Sequence, residues 1–315
     1  MKKYALNIGI IILVLFTSNI LFSQKIIEIK YEKDKAGMGY VFECRNNSFV
    51  NYTVTIDFST LVNLSADVPM PYKTTVSPGN NRLFKLSMTN TGSSTNFNYS
   101  FSYQKGCEKT KVDTSFAYLL PISPLKTTRV FELSNIGEKY AQKSPPKDWY
   151  ALGFKVEEGD TVFAARKGIV GEVVSDQLVA GESLSFSREV NYVEIQHEDC
   201  TFAKYELFKQ NGVFVKVGET VQAGQPLGII SSKNFSSGSH MRLSVYYSFV
   251  ENVLKAGKKT EDKYYQAYVP IRFWVEGAVQ KLEKNKSYTS EHPEVLIIKE
   301  MSKKEKKRRL ESGKK

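Results

Sequence analysis

The chain has 315 residues, 24% charged and 12% aromatic, with three cysteines, three histidines and a formal net charge of +11. That length is enough for two domains with substantial cores. The charge does not mark a nucleic-acid binder. The last 14 residues alone carry eight Lys/Arg against two Glu, Lys2 and Lys3 add two more, and the remainder is nearly balanced.

The chain opens with Lys2 and Lys3 and an apolar run from Ile8 to Phe16 that ends at Thr17-Ser18-Asn19. This pattern predicts an export signal over 1–23, too short for an ordinary membrane span. Cleavage after Ser23 fits, although Leu21 breaks the small-x-small rule, and an uncleaved anchor is the rival. With no Cys nearby, a lipid anchor is not expected. An exported chain meets an oxidising compartment, so Cys44 and Cys107 are a candidate disulfide, with free buried thiols as the alternative. Cys44, Cys107 and Cys200 lie too far apart in sequence to suggest a zinc site.

From 24 to 105 the chain alternates with period two. Tyr52, Val54, Ile56 and Phe58 share one face, as do Phe84, Leu86 and Met88, and Tyr99, Phe101 and Tyr103. Ser77-Pro78-Gly79-Asn80 is a turn between two such runs. This predicts an immunoglobulin-like antiparallel β-sandwich serving as a spacer or packing module. Residues 106–147 read as a connecting segment with short strands at Leu119-Leu120-Pro121-Ile122-Ser123 and Arg129-Val130-Phe131-Glu132-Leu133, then a loop through Pro145-Pro146.

A second, mainly β domain is predicted over 148–298. Its short β-branched runs are cut by turns at Gly159-Asp160-Thr161-Val162 and Gly218-Glu219-Thr220-Val221, with further Gly at 168, 224 and 228. Residues 299–315 form a basic tail. It reads as a solvated end, partly helical or disordered, or as a segment drawn to anionic lipid or wall polymer.

Three motifs give the second domain a resemblance. They are Tyr150-Ala151-Leu152-Gly153-Phe154, Tyr205-Glu206-Leu207-Phe208 and Ser239-His240-Met241-Arg242. In order and spacing they resemble the LytM/lysostaphin-type zinc metallopeptidases, the duplicated-hybrid-motif enzymes that cut cell-wall peptides. The part before them resembles the β-rich domain that precedes the peptidase domain in some Bacteroidetes-type envelope proteins. The resemblance implies one zinc held by a His, an Asp and the second His of a final His-x-His, with two further His assisting. Three protein ligands leave a position for activated water.

On that alignment the ligand Asp falls on Gly153, the assisting His of the middle motif on Leu207, and the second His of the final motif on Arg242. His240 keeps the first, assisting place. The upstream ligand His is missing, because the first His of the chain is His197. Arg is permanently cationic and does not ligate zinc. Asp148, Glu157, Glu158 and His197 are the candidates for shifted ligands, with a strand-end structural role as the other reading of His197. Ser231 and Asn234 stand where relatives often have Gly.

The resemblance therefore implies a degenerate member: an inactive homologue with no zinc and no cofactor. Its groove, at His240, Arg242, Leu207 and Tyr205, is expected to hold an envelope protein or a peptidoglycan stem peptide. Arg242 either clamps a carboxylate or merely pairs with Glu206. A structural or assembly component of the envelope and a working zinc endopeptidase are the alternatives. No Ser-His-Asp or Cys-His pattern and no phosphate-binding Gly loop offers another enzyme.

Overall fold

The computed structural model describes residues 25–134, 148–185, 187, 189–253 and 261–312. The expected export signal over 1–23 and the Pro145-Pro146 loop lie outside the described residues. Seven strands come first: β1 (Ile27–Lys33), β2 (Gly39–Asn46), β3 (Tyr52–Val62), β4 (Leu64–Ala66), β5 (Tyr72–Val76), β6 (Gly79–Met88) and β7 (Asn96–Lys105). They form two antiparallel sheets, ordered β1-β2-β6-β4 and β5-β3-β7.

Alternation explains how the two sheets pack. On β2, Phe42 and Cys44 are buried while Glu43 and Arg45 are exposed. These inward residues meet Val54 and Ile56 of β3 and Phe84 and Leu86 of β6 in one apolar cluster. Phe42 stacks on Phe84 at 4.7 Å between ring centres and meets Tyr99 edge-on at 5.3 Å. The alternation is less informative at the end of β7. There Phe101 and Tyr103 are 40% and 44% exposed, on the strand that forms the edge of its sheet.

Among the described residues, fourteen strands follow: β8 (Ala117–Tyr118), β9 (Thr127–Glu132), β10 (Leu152–Lys155), β11 (Thr161–Phe163), β12 (Gly168–Val174), β13 (Asn191–Gln196) and β14 (Phe202–Val213), then β15 (Thr220–Val221), β16 (Pro226–Ile230), β17 (His240–Val253), β18 (Glu261–Tyr268), β19 (Arg272–Val275), β20 (Ala278–Gln280) and β21 (Ser287–Thr289). The main path of the large sheet is β15-β12-β13-β14-β17-β10-β9-β21, with β11, β16 and β18 branching from it. β8 pairs in parallel with β19, the exception to an otherwise antiparallel pattern. The expected connector thus supplies β8 and β9 to the C-terminal sheets, and its Tyr118, Leu120 and Val130 enter the C-terminal core.

Among the described residues two short helices come last, α1 (Glu294–Ile297) and α2 (Lys303–Ser312). α2 begins with a capping box. Glu305 N–H donates to Ser302 Oγ at 3.3 Å, and Ser302 N–H donates to the Glu305 carboxylate at 2.6 Å. The start of the tail is pinned, while 302–304 and 307–311 stay exposed, as a solvated, partly helical end was expected to be. Arg166 pairs with Glu300 at 2.8 Å and Lys167 with Glu305 at 2.8 Å, and Met301 is buried. Among the described residues no helix is long and apolar enough to cross a membrane.

The two bodies touch at one end of the large sheet. Val50 packs on Phe202 and Tyr246, and Asn51 N–H donates to Gln196 Oε1 at 2.9 Å. Lys105, at the end of β7, puts its ammonium between Glu172 (2.9 Å) and Glu194 (2.5 Å). A disulfide joins Cys107 to Cys200, 93 residues apart in sequence with Cα atoms 5.9 Å apart. This corrects the expected Cys44–Cys107 pairing: Cys44 is a free, buried thiol inside the N-terminal cluster. Burial pushes that thiol up to about 11.

Peptide mapping under non-reducing conditions is therefore expected to recover Cys107 linked to Cys200, with Cys44 alkylated only after unfolding. Cys200→Ser is expected to lower stability by up to about 4 kcal/mol, the scale of closing so long a loop. Unchanged urea unfolding in that variant would show that the bridge contributes nothing.

Candidate functional site

The antiparallel register sets the site. Arg242 on β17 faces Gly153 on β10, and Gly153 faces Phe131 on β9. On its other side Arg242 faces Glu206 on β14. His240 is two residues from Arg242 and so shares its face of the strand. Position 153 has a steric reason to be Gly. A Cβ built there overlaps three ring atoms of Phe131, whose side chain covers the space above the glycine.

His240 is fully buried and its tautomer is set by two contacts. Nδ1–H donates to the Gly238 carbonyl at 2.7 Å, which leaves Nε2 as an acceptor. Arg242 Nε–H donates to that Nε2 at 3.1 Å. Phe131 and Phe235 meet the imidazole edge-on, at 5.5 and 5.6 Å between centres. Burial, followed by the charges of Arg242 and Lys155, pushes His240 down to about 4, so it is neutral at pH 7. The Arg242 guanidinium lies over Phe235, with its central carbon 4.9 Å from the ring centre. Burial also pulls Arg242 below the usual arginine range, with Glu206 acting in the opposite sense.

The expected pairing of Arg242 with Glu206 does not form as an ion pair. The Glu206 carboxylate is taken by Lys204 at 3.0 Å, and no carboxylate among the described residues lies within 4.0 Å of Arg242. Arg242 and His240 instead line a cavity of about 320 Å³, with Phe131, Trp149, Glu206 and Ser236 among the other walls.

The remaining candidates go elsewhere. Leu207 is 1% exposed and packs with Val190 and Phe235, under Val179 and Leu184. It sits at a bulge where the β13–β14 register shifts, with a left-handed φ of 80°. Tyr205 is fully buried in the C-terminal core, and its hydroxyl accepts the Ala165 N–H at 2.9 Å. Neither lines the cavity, which corrects their expected place in the groove. Alternation along β14 explains Tyr205, because the groove face belongs to Glu206.

Three of the four shifted-ligand candidates, Glu157, Glu158 and His197, are engaged in structural contacts. Glu157 pairs with Lys126 at 3.1 Å. The Glu158 carboxylate accepts the N–H groups of Ser232 and Lys233, holding the loop before His240. His197 is buried, with Nδ1 donating to the Lys167 carbonyl at 2.7 Å, and burial beside Arg166 pushes it down to about 3. Asp148 lies at a φ of 55°. Among the described residues no group of three His, Cys, Asp or Glu is placed to hold a metal ion. The donor set at the groove therefore does not fit zinc: its one imidazole already accepts from a cation, and Glu206, which also lines the groove, is paired with Lys204.

Phe131 and Phe235 are the site residues that motif reading missed. Phe131 comes from the segment read as a connector, and Phe235 from the loop before the final motif. Their only sequence signal was an aromatic within a short β-branched run and a lone aromatic among serines.

Two expectations follow. Gly153→Asp should destabilise the fold by about 1–3 kcal/mol through overpacking, and Gly153→Asp with Phe131→Ala should recover part of that loss in urea unfolding. An unperturbed single variant would show that Phe131 does not fill the position. The second concerns pH. The three histidines, His197, His240 and His292, are all held below the ordinary value of 6.5. Between about 6.5 and 4 the unfolded chain binds more protons, so stability should fall as pH falls through that window. A urea midpoint that is flat from pH 7 to pH 5 would contradict this.

The family comparison agrees with the motifs. Residues 147–258 match the model of Peptidase family M23. No curated protein matches the chain. Solved structures that resemble it include a protein from Ruminococcus gnavus assigned as a glycyl-glycine endopeptidase LytM. That protein is 15% identical, with 46% of this chain and 56% of that chain covered and a TM-score of 0.26. Csd3 of Helicobacter pylori is also 15% identical, with 91% and 77% covered and a TM-score of 0.29. A zinc-containing peptidase from Vibrio cholerae is 10% identical, with 74% and 83% covered and a TM-score of 0.28. The chain thus spans little more than half the length of the first. Superpositions this loose add nothing to the family match, which stands by itself: in its C-terminal half the chain carries a LytM-type domain of peptidase family M23.

Proposed function

We propose that this LytM-type domain is a non-catalytic recognition module of the cell envelope, and that its groove binds a protein partner or a wall peptide. Peptidases of this family act on peptidoglycan. The observation that carries the non-catalytic reading is the Arg242–His240 contact. At the position aligned with a zinc ligand stands a cation, bonded to the one imidazole the groove retains. A zinc ion there would meet a fixed positive charge and would compete with the Arg242 N–H for His240 Nε2. Gly153 offers no donor, and the space above it is filled by Phe131.

An envelope location is supported by the signal-like N-terminus and by the Cys107–Cys200 bridge, a bond at home in an oxidising compartment. The N-terminal two-sheet body then serves as an immunoglobulin-like spacer. The bridge and the Lys105 ion pairs fix it to the end of the large sheet, which favours a second reading in which the protein is a rigid structural component.

Metal analysis paired with digestion of purified peptidoglycan tests the proposal. Substoichiometric zinc and no released peptide are expected. Stoichiometric zinc that disappears in His240→Ala, together with wall cleavage, would overturn it.

A further inference from the structure

We propose that the cavity over Arg242 is a binding site for a peptide that ends in a free carboxylate, with the guanidinium as its clamp; this rests on the non-catalytic reading of the groove. Arg242 is only 8% exposed, and among the described residues it has no carboxylate within ion-pair distance. A buried cation without an anion is costly, and arginine does not shed its proton to escape that cost. Glu206, the acid opposite it in register, is held by Lys204. Among the described residues no acid is left to serve it, and the proposed partner is an anion supplied by the ligand.

The guanidinium is already oriented to receive one. Its Nε–H is committed to His240 Nε2 and its plane is supported by Phe235. The two Nη groups have no hydrogen-bond partner among the described residues. They form the edge that grips a carboxylate through two parallel bonds, a geometry Lys does not reproduce. Because the side chain is fixed before binding, little freedom is lost on capture.

The cavity sets the ligand class. At about 320 Å³ it is at the small end for ligand pockets. Ser185, Ser236 and Ser237 offer small polar contacts, and Leu133 and Trp149 add apolar wall. Glu132 and Glu206 also line it. With Glu206 neutralised by Lys204, Arg242 and Glu132 are the remaining charges, so a singly charged carboxylate is opposed less than a dianion such as phosphate. Arg242 is buried at the cavity wall, so the ligand must reach inward. A chain end does this without having to turn back out, which a carboxylate in mid-loop must do.

Trp149 gives the readout. The chain has two tryptophans, and the other, Trp274, is hydrogen-bonded to Glu291 away from the cavity. In a Trp274→Phe background, emission from Trp149 is followed while N-acetyl-Ala-Ala is added as the free acid, as its carboxamide, and against N-acetyl-Asp-amide and inorganic phosphate. The free acid is expected to bind at least about tenfold more tightly than the carboxamide, the Asp derivative and phosphate. Arg242→Lys is expected to lose about tenfold or more.

The acid-versus-amide comparison is made with Arg242 intact, so it decides the matter even if the Arg242 variant fails to fold. Equal binding of acid and amide, no binding of either, or tighter binding of phosphate would overturn the clamp. Equal binding of the Asp derivative would overturn the chain-end assignment. Zinc content and wall digestion are measured on the same sample. Cleavage with bound zinc sinks the non-catalytic reading, whereas no zinc, no cleavage and no preference for the acid sinks the clamp alone.

Discussion

The hydrogen bond from Arg242 Nε to His240 Nε2 governs the chemistry of the groove. It requires a neutral imidazole with its proton on Nδ1, and the Gly238 carbonyl selects that tautomer. It also fixes a cation where the family resemblance leads one to expect a zinc ligand. A metal site needs convergent lone pairs, whereas here the free lone pair of the imidazole is already taken by the Arg242 Nε–H. On the reading proposed above, a groove lined this way suits an anion better than a zinc ion.

The surrounding sheet supports that contact on both sides. β10 lies beside β17 and carries a glycine, so the Phe131 ring from β9 can cover it and reach the His240 edge. Below the loop that precedes His240, the Glu158 carboxylate collects backbone N–H groups and sets the loop's path. Phe235 from that loop supports both the imidazole and the guanidinium. The N-terminal body meets the other end of the same sheet through Lys105, Val50 and the disulfide, and leaves the Arg242 end open.

Gly153, His240 and Arg242 were legible in the sequence because each sits in a short motif with fixed spacing, and two residues along a strand always share a face. The alternating runs of the N-terminal half likewise foretold strands and most inward residues. Tyr205 and Leu207 were misplaced for two separate reasons. Tyr205 follows alternation into the core opposite Glu206, and Leu207 is displaced by a bulge that no local pattern announces. Phe131 was missed because its role depends on β9 pairing with β10, a contact between segments that motif reading treats apart. The cysteine pairing failed for the same reason. Cys44 and Cys107 both belong to the first half of the chain, but the fold turns Cys44 into a core and brings Cys107 to the start of β14.

Nitrogen-15 NMR of the His240 side chain tests the central claim most directly. The account predicts a neutral ring at pH 6 with its proton on Nδ1, an unprotonated Nε2 that shifts in Arg242→Lys, and no change when zinc is added. A ring protonated on Nε2, or resonances that move stoichiometrically with zinc, would contradict it.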